Sequence, residues 1–132
     1  MALLPAIGGK YVYSSKKNNV VSITKGDYSV IPVELVISTY PEYYTLKLDE
    51  SDRVYFGLMA PNKSFDEAIL KKEFTIADVT PDGYINVKLL PEDTVNLESG
   101  VYYYSVKALY MLGDNDVRIS TLVDKTKFII ND

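Results

Sequence analysis

An all-β fold of two stacked antiparallel sheets is what this sequence predicts, on three observations. Apolar and polar residues alternate with period two from residue 20 onward. Turn-forming residues recur between the alternating runs, and the two stretches with helical character are short.

Taken in order, the first run covers 20–25 and is weak. In YSVIPVELVIS (28–38), Ile31, Val33, Leu35 and Ile37 share one face, and Pro32 places that strand at an edge or on a bulge. A second weak run follows at 44–48. RVYFGLM (53–59) sets Val54, Phe56 and Leu58 together, and a further strand is expected at 69–76. YINVKLL (84–90) aligns Ile85, Val87 and Leu89. The last two runs, 101–112 and 117–130, are long and read as one antiparallel hairpin about the GDND turn (113–116).

KGD (25–27), PE (41–42), DESD (49–52), APNKS (60–64), PDG (81–83) and ESG (98–100) supply the other turns. SFDEAILKK (64–72) and PEDTVNLES (91–99) can hold a turn or two of helix each. About seven strands in about 110 residues is the count of an immunoglobulin-like antiparallel β-sandwich. The expected organisation is therefore an N-terminal extension, residues 1–19, followed by the sandwich, residues 20–132.

The phenol-rich stretch LESGVYYYSVKALY (97–110) is read first as packing. Alternation puts Tyr102, Tyr104, Val106 and Ala108 on one face and Val101, Tyr103, Ser105 and Lys107 on the other. The first set is the better core face, since the second carries a serine and a lysine. Immunoglobulin-like domains keep a corner tyrosine that bonds back to the upstream backbone. Leu97, Gly100, Tyr102 and Tyr104 fit such a corner: Leu97 caps the core, Gly100 takes the turn, Tyr102 closes it and Tyr104 enters the core. Tyr103 faces outward or toward a partner. PEDT (91–94) before the tyrosines is superficially similar to antibody variable domains, but the spacing is too long, and both cysteines and the core tryptophan are missing.

Composition excludes more than it assigns. At 132 residues the chain is one domain's worth, long enough to bury roughly two-thirds of its unfolded surface. It has no histidine, cysteine or tryptophan, which removes histidine-based triads, thiol chemistry and the usual zinc ligand sets. A paired-carboxylate acid/base system remains formally open, but no catalytic residue, cofactor or metal site is expected. DGYI (82–85) lacks the flanking ligands of a calcium loop, and Asp114 and Asp116 are read as a hairpin tip rather than a cation site. No phosphate loop of the GxxxxGK type is present. The opening residues lack the pattern of a signal peptide, and no run is long enough for a membrane helix.

Charge is unevenly spread. Residues 1–19 hold Lys10, Lys16 and Lys17 with no acid, a balance of +3; the rest has eleven basic and eighteen acidic residues, a balance of −7. An acidic body argues against a grip on nucleic acid. The leading segment, MALLPAIGGKYVYSSKK, carries Leu3, Leu4, Pro5 and Ile7, which a free polar tail has no reason to carry. It either adds a strand to its own sandwich or forms an arm, hinged at Gly8-Gly9, that docks on a neighbouring chain. Leu3, Leu4, Ile7, Tyr11 and Tyr13 are its contact candidates. Tyr40, Tyr43 and Tyr44 in TYPEYY (39–44), expected on a loop, are candidates for protein contact, glycan stacking or local packing.

At KGDYSVIPVELVI, DRVYFGLMAPN, ILKKEF and L-x-x-G-x-Y-x-Y-x-V, the chain resembles the immunoglobulin-like domains of tailed-bacteriophage virion proteins, nearest the N-terminal domain of phage baseplate upper proteins. The likeness covers about residues 20–131. It implies a non-enzymatic virion structural or assembly module: a head decoration, a head-fibre base, or a tail or baseplate adaptor. The implied partners are other virion proteins and further copies of itself, with no nucleic acid and no membrane. The implied location is the virion, assembled in the host cytoplasm. A glycan-binding sandwich using the loop tyrosines is the alternative.

Overall fold

The structure is a computed structural model that describes residues 20–39, 42–111 and 116–132, with the backbone alone for 37–39 and 42–45. Strands dominate it, and two packed sheets form the two-layered all-β architecture that the alternation predicts. Nine strands occur among the described residues. They are β1 (Val21–Thr24), β2 (Ser29–Glu34), β3 (Val36–Thr39), β4 (Glu42–Thr45), β5 (Arg53–Met59), β6 (Leu70–Phe74), β7 (Tyr84–Leu89), β8 (Gly100–Met111) and β9 (Val117–Asn131). Single 3-10 turns span Phe65–Glu67 and Ile76–Asp78, and one short helix, α1, spans Pro91–Thr94.

A five-stranded sheet runs in the order β1-β9-β8-β5-β6, while β2 pairs with β7 and β3 with β4. The long hairpin joins β8 to β9 from Gly100 opposite Ile130 to Met111 opposite Val117. Its register shifts twice, on either side of Val106, which marks bulges that raise the local twist.

Three features differ from the sequence reading. The count exceeds about seven because both weak runs form strands and the 28–38 run breaks at Leu35. Its N–H donates to the Gly83 carbonyl and its carbonyl accepts from the Leu46 N–H, so the backbone changes partners there. The strand expected at 44–48 lies at 42–45 instead, which puts Tyr43 and Tyr44 on β4 and not on a loop. Aromatic and β-branched residues favour the strand, and a two-residue connection suffices to return it against β3. The sandwich is also not wholly antiparallel: β1 pairs parallel with β9, Val21 opposite Phe128. The connection between those two strands is the rest of the domain, so no short hairpin constrains their direction.

The core lies between the five-stranded sheet and the β2–β7 pair. Ile23, Val54, Phe56, Leu58, Val106, Ala108, Phe128 and Ile130 from the first layer meet Ile31, Val33, Ile85, Val87 and Leu89 from the second. Full burial of such a side chain contributes about 1.5–3 kcal/mol, so these alternating positions set the register of each strand. Two polar groups tie the ends together. Asp52 is 2 % exposed and accepts from the Asp49 N–H at 2.8 Å and the Met111 N–H at 3.2 Å, locking the start of β5 to the end of β8. The buried Thr94 hydroxyl accepts from the Gly26 N–H at 2.9 Å, which fixes α1 to the β1–β2 turn.

Candidate functional site

The corner before β8 is built from residues 94–104. The Leu97 N–H donates to the Thr94 carbonyl at 3.0 Å, and its side chain packs on the core. Gly100 opens β8 with φ at +150°, a conformation L side chains rarely adopt. Tyr102 donates its hydroxyl to the Glu98 carbonyl at 2.7 Å. Tyr104 is 2 % exposed, with Phe56 tilted against it at 5.8 Å and Phe128 edge-on at 5.9 Å. Burial pushes its phenol up to about 12.

Tyr103 is half-buried on the opposite face of β8, and the Lys125 ammonium lies 5.9 Å from its ring centre. That outer face is partly covered, which the sequence reading missed. The 60–69 loop folds over it and sets the Phe65 ring against Gly57. The Lys107 and Lys71 ammoniums lie 5.1 Å and 5.6 Å from the centre of that ring. Ser105, on the outer face by alternation, is consequently buried. The available signal was Gly57 itself, since a glycine inside a strand marks a close approach. Beyond this cover, Val101, Met111, Val117 and Ile119 stay exposed.

Of the other candidates, Leu3, Leu4, Ile7, Tyr11, Tyr13 and Tyr40 lie outside the described residues, as do residues 1–19 as a unit and Asp114 of the hairpin tip. Tyr43 and Tyr44 sit next to each other on β4, and their side chains also fall outside what is described. Asp116 pairs with Arg118 at 3.0 Å.

The geometry adds a site that no motif pointed to. Two strands, β2 and β7, cannot cover five, so the sandwich has a flank at each side. At the β6 flank, Lys72 takes an inward-facing position between Leu70 and Phe74 and meets Asp93 at 2.7 Å. An inward-pointing charge of this kind blunts a sheet edge. A cavity of about 600 Å³ there is lined by Lys72, Asp78, Asn86 and Lys88 among others. The β1 flank is different. A groove of about 510 Å³ runs between β1 and β2, with Tyr104 in its lining, and none of the described residues that line it is charged. Val20 and Val30 on its walls are 56 % and 44 % exposed. Among the described residues, β1 pairs only with β9 and β2 only with β7. The groove therefore brings together two sheet edges and a mixed lining of aliphatic side chains with Ser22, Ser29 and Tyr104, a combination suited to holding an extended segment. No helix of the described residues is long and apolar enough to cross a membrane. No protein-family model matches this chain and no curated protein matches it significantly.

Proposed function

We propose that this chain is a non-enzymatic assembly module of a tailed-phage particle, acting by protein–protein contact as a head decoration, a head-fibre base, or a tail or baseplate adaptor. In this reading the sandwich is immunoglobulin-like. The strand order supports that: β1 beside β9, then β8, β5 and β6, with β2 and β7 on the opposite layer, so that the chain passes repeatedly between layers. The Tyr102–Glu98 hydrogen bond suits a tyrosine corner, and β3–β4 is then a hairpin inserted before the third principal strand.

The observation that carries a contact function is the uncharged groove between the β1 and β2 edges. A sheet edge that no described strand covers is what strand addition uses, and such an edge is a liability in a protein that has no partner. The phage assignment draws on the KGD turn, the DRVYFGLMAPN strand and the G-x-Y-x-Y strand. Partners are other virion proteins and further copies of this chain, engaged through the leading arm and the sandwich surface.

Light scattering tests the reading. Deleting residues 1–18 is expected to leave a folded domain that no longer assembles; unchanged assembly rejects the arm. A glycan library should show no saturable binding. A hit abolished by Tyr43→Ala would move the function to glycan recognition.

A further inference from the structure

We infer that the outer face of the five-stranded sheet docks a second copy of this chain, with Lys71, Lys107, Lys125 and Lys127 receiving the acidic end of that copy's β2–β7 layer. This rests on the assembly reading above and deepens it by naming the two surfaces that meet.

The basic side follows from register. Lys71 of β6 lies opposite Gly57 of β5, Gly57 opposite Ser105 of β8, and Tyr103 opposite Lys127 of β9, so outward positions of four neighbouring strands share one face. Lys107 and Lys125 take the same side. The ring of Phe65, which covers Gly57, has the Lys107 and Lys71 ammoniums 5.1 Å and 5.6 Å from its centre, and the Lys125 ammonium stands 5.9 Å from the Tyr103 ring. Among the described residues none of these four lysines is in an ion pair. The carboxylates nearby are engaged elsewhere. Glu73 pairs with Arg53 at 3.4 Å, and Asp124 accepts from the Lys125 N–H at 2.9 Å. Glu67, beyond ion-pair distance of Lys125, pairs with Lys63 at 4.0 Å and accepts from the Ser64 N–H at 3.0 Å. An aromatic ring steadies an ammonium without cancelling its charge, so three of the four cations are held in place and stay uncompensated.

The acidic side belongs to the other layer. Glu34 at the end of β2 stands opposite Tyr84 at the start of β7, and Asp82 comes just before it. Burial, and then the Glu34 and Asp82 carboxylates, push the Tyr84 phenol up, which places both charges beside one ring. Neither carboxylate is in an ion pair among the described residues. Tyr84 alternates with the buried Ile85, so the cluster faces away from the core, on the opposite side of the sandwich from the lysines. One chain thus carries a cationic face and an anionic face back to back. Charge also selects the occupant. Residues 1–19 hold three lysines and no acid, so the chain's own leading segment offers the lysine face no counter-charge. A long polyanion would meet a body whose balance is −7, whereas a second copy brings a compact acidic cluster. At physiological salt the screening length is about 8 Å, so facing patches outweigh the net repulsion between two acidic chains. The two surfaces differ, so the contact is heterologous and closes into a ring or continues as a filament.

Sedimentation of full-length chains tests this. The native chain is expected to associate with rising concentration, and less so at ~1 M salt, where the screening length falls to about 3 Å. Lys125→Glu with Lys127→Glu, and separately Glu34→Lys with Asp82→Lys, set like charges on both surfaces and should each weaken association about tenfold or more. The chain with all four changes keeps the native net charge and exchanges the two patches, so association is expected to return. A native chain that stays monomeric, or a fourfold variant that stays dissociated, overturns the inference. Lys125→Gln with Lys127→Gln reverses no charge and decides the matter where a reversed chain does not fold: weaker association supports the contact, and unchanged association overturns it. Full-length Leu3→Asp, Leu4→Asp separates this from the arm. If that variant dissociates while the charge variants do not, the arm carries the contact and this inference falls. If the charge variants dissociate while the arm variant does not, the arm reading falls and this inference stands. A labelled oligoglutamate peptide binding a native chain that remains monomeric would assign the lysine face to a foreign acidic segment and overturn the self-contact.

Discussion

Tyr102 and Glu98 close a loop of five residues: the phenol donates to the Glu98 carbonyl at 2.7 Å, and Gly100, at φ +150°, makes the approach possible. The bond fixes where the chain leaves the 91–99 segment and enters β8, the strand that sits between β5 and β9. Tyr104 and Val106 are then aimed into the core by alternation alone.

Tyr102→Phe keeps the ring and removes the bond. A typical intramolecular hydrogen bond contributes about 0.5–1.5 kcal/mol net, and this one is near solvent, so a loss toward the lower end is expected. The urea midpoint should fall with an unchanged slope. An unchanged midpoint would show that water replaces the bond at no cost.

A β-carbon on Gly57 would stand 2.7 Å from Cε1 and 3.0 Å from Cδ1 of Phe65. Gly57→Ala must therefore push the ring off the sheet. That weakens its contacts with Lys71 and Lys107, worth about 0.5–1 kcal/mol each at an exposed site. It also uncovers the surface around Ser105. Opposing this, alanine in a strand gains roughly 0.5–1 kcal/mol over glycine. The expected net effect is a loss of about 1 kcal/mol in the native background. With Phe65→Ala already present the clash is gone, so the same substitution becomes neutral or stabilising. Urea unfolding of the four chains reads this directly, and equal effects in both backgrounds would refute it.

Long alternating runs made β5, β7, β8 and β9 legible to within about a residue, since burial of one face repeats over many positions. The break at Leu35 was not legible. The apolar pattern runs through it unchanged, and only distant partners, Gly83 and Leu46, impose the change. Tyr43 and Tyr44 were misplaced because a proline beside tyrosines suggests a loop, whereas strand pairing already resumes with Glu42 opposite Thr39. Gly57 signalled a close approach without naming Phe65 as the neighbour. The β1–β2 groove left no local trace at all. It arises where strands of two different sheets pass each other, and nothing within 20–34 records that β1 joins β9 while β2 joins β7.

Asp93 gives the acid limb of stability a specific origin. Burial alone would raise its carboxyl, but the Lys72 ammonium at 2.7 Å and the Leu90 N–H at 2.7 Å outweigh it, and the group titrates below its ordinary value of 3.8. A carboxyl held lower in the folded chain adds stability that is fully present above the unfolded value and is lost as pH falls through the folded one. Asp93→Asn is accordingly expected to be less stable than the native chain at neutral pH, with the gap closing as pH drops below 3.8. Glu67, lowered mainly by the Ser64 N–H, and Asp132, lowered mainly by the Ser99 hydroxyl, titrate alike in both chains, so the difference isolates Asp93. Lys72→Met should narrow the same gap, because it removes the cation that favours the charged carboxylate. Paired thermal melts across the acid range test this, and a gap that stays constant with pH would assign the loss to packing and remove the ion pair from the account.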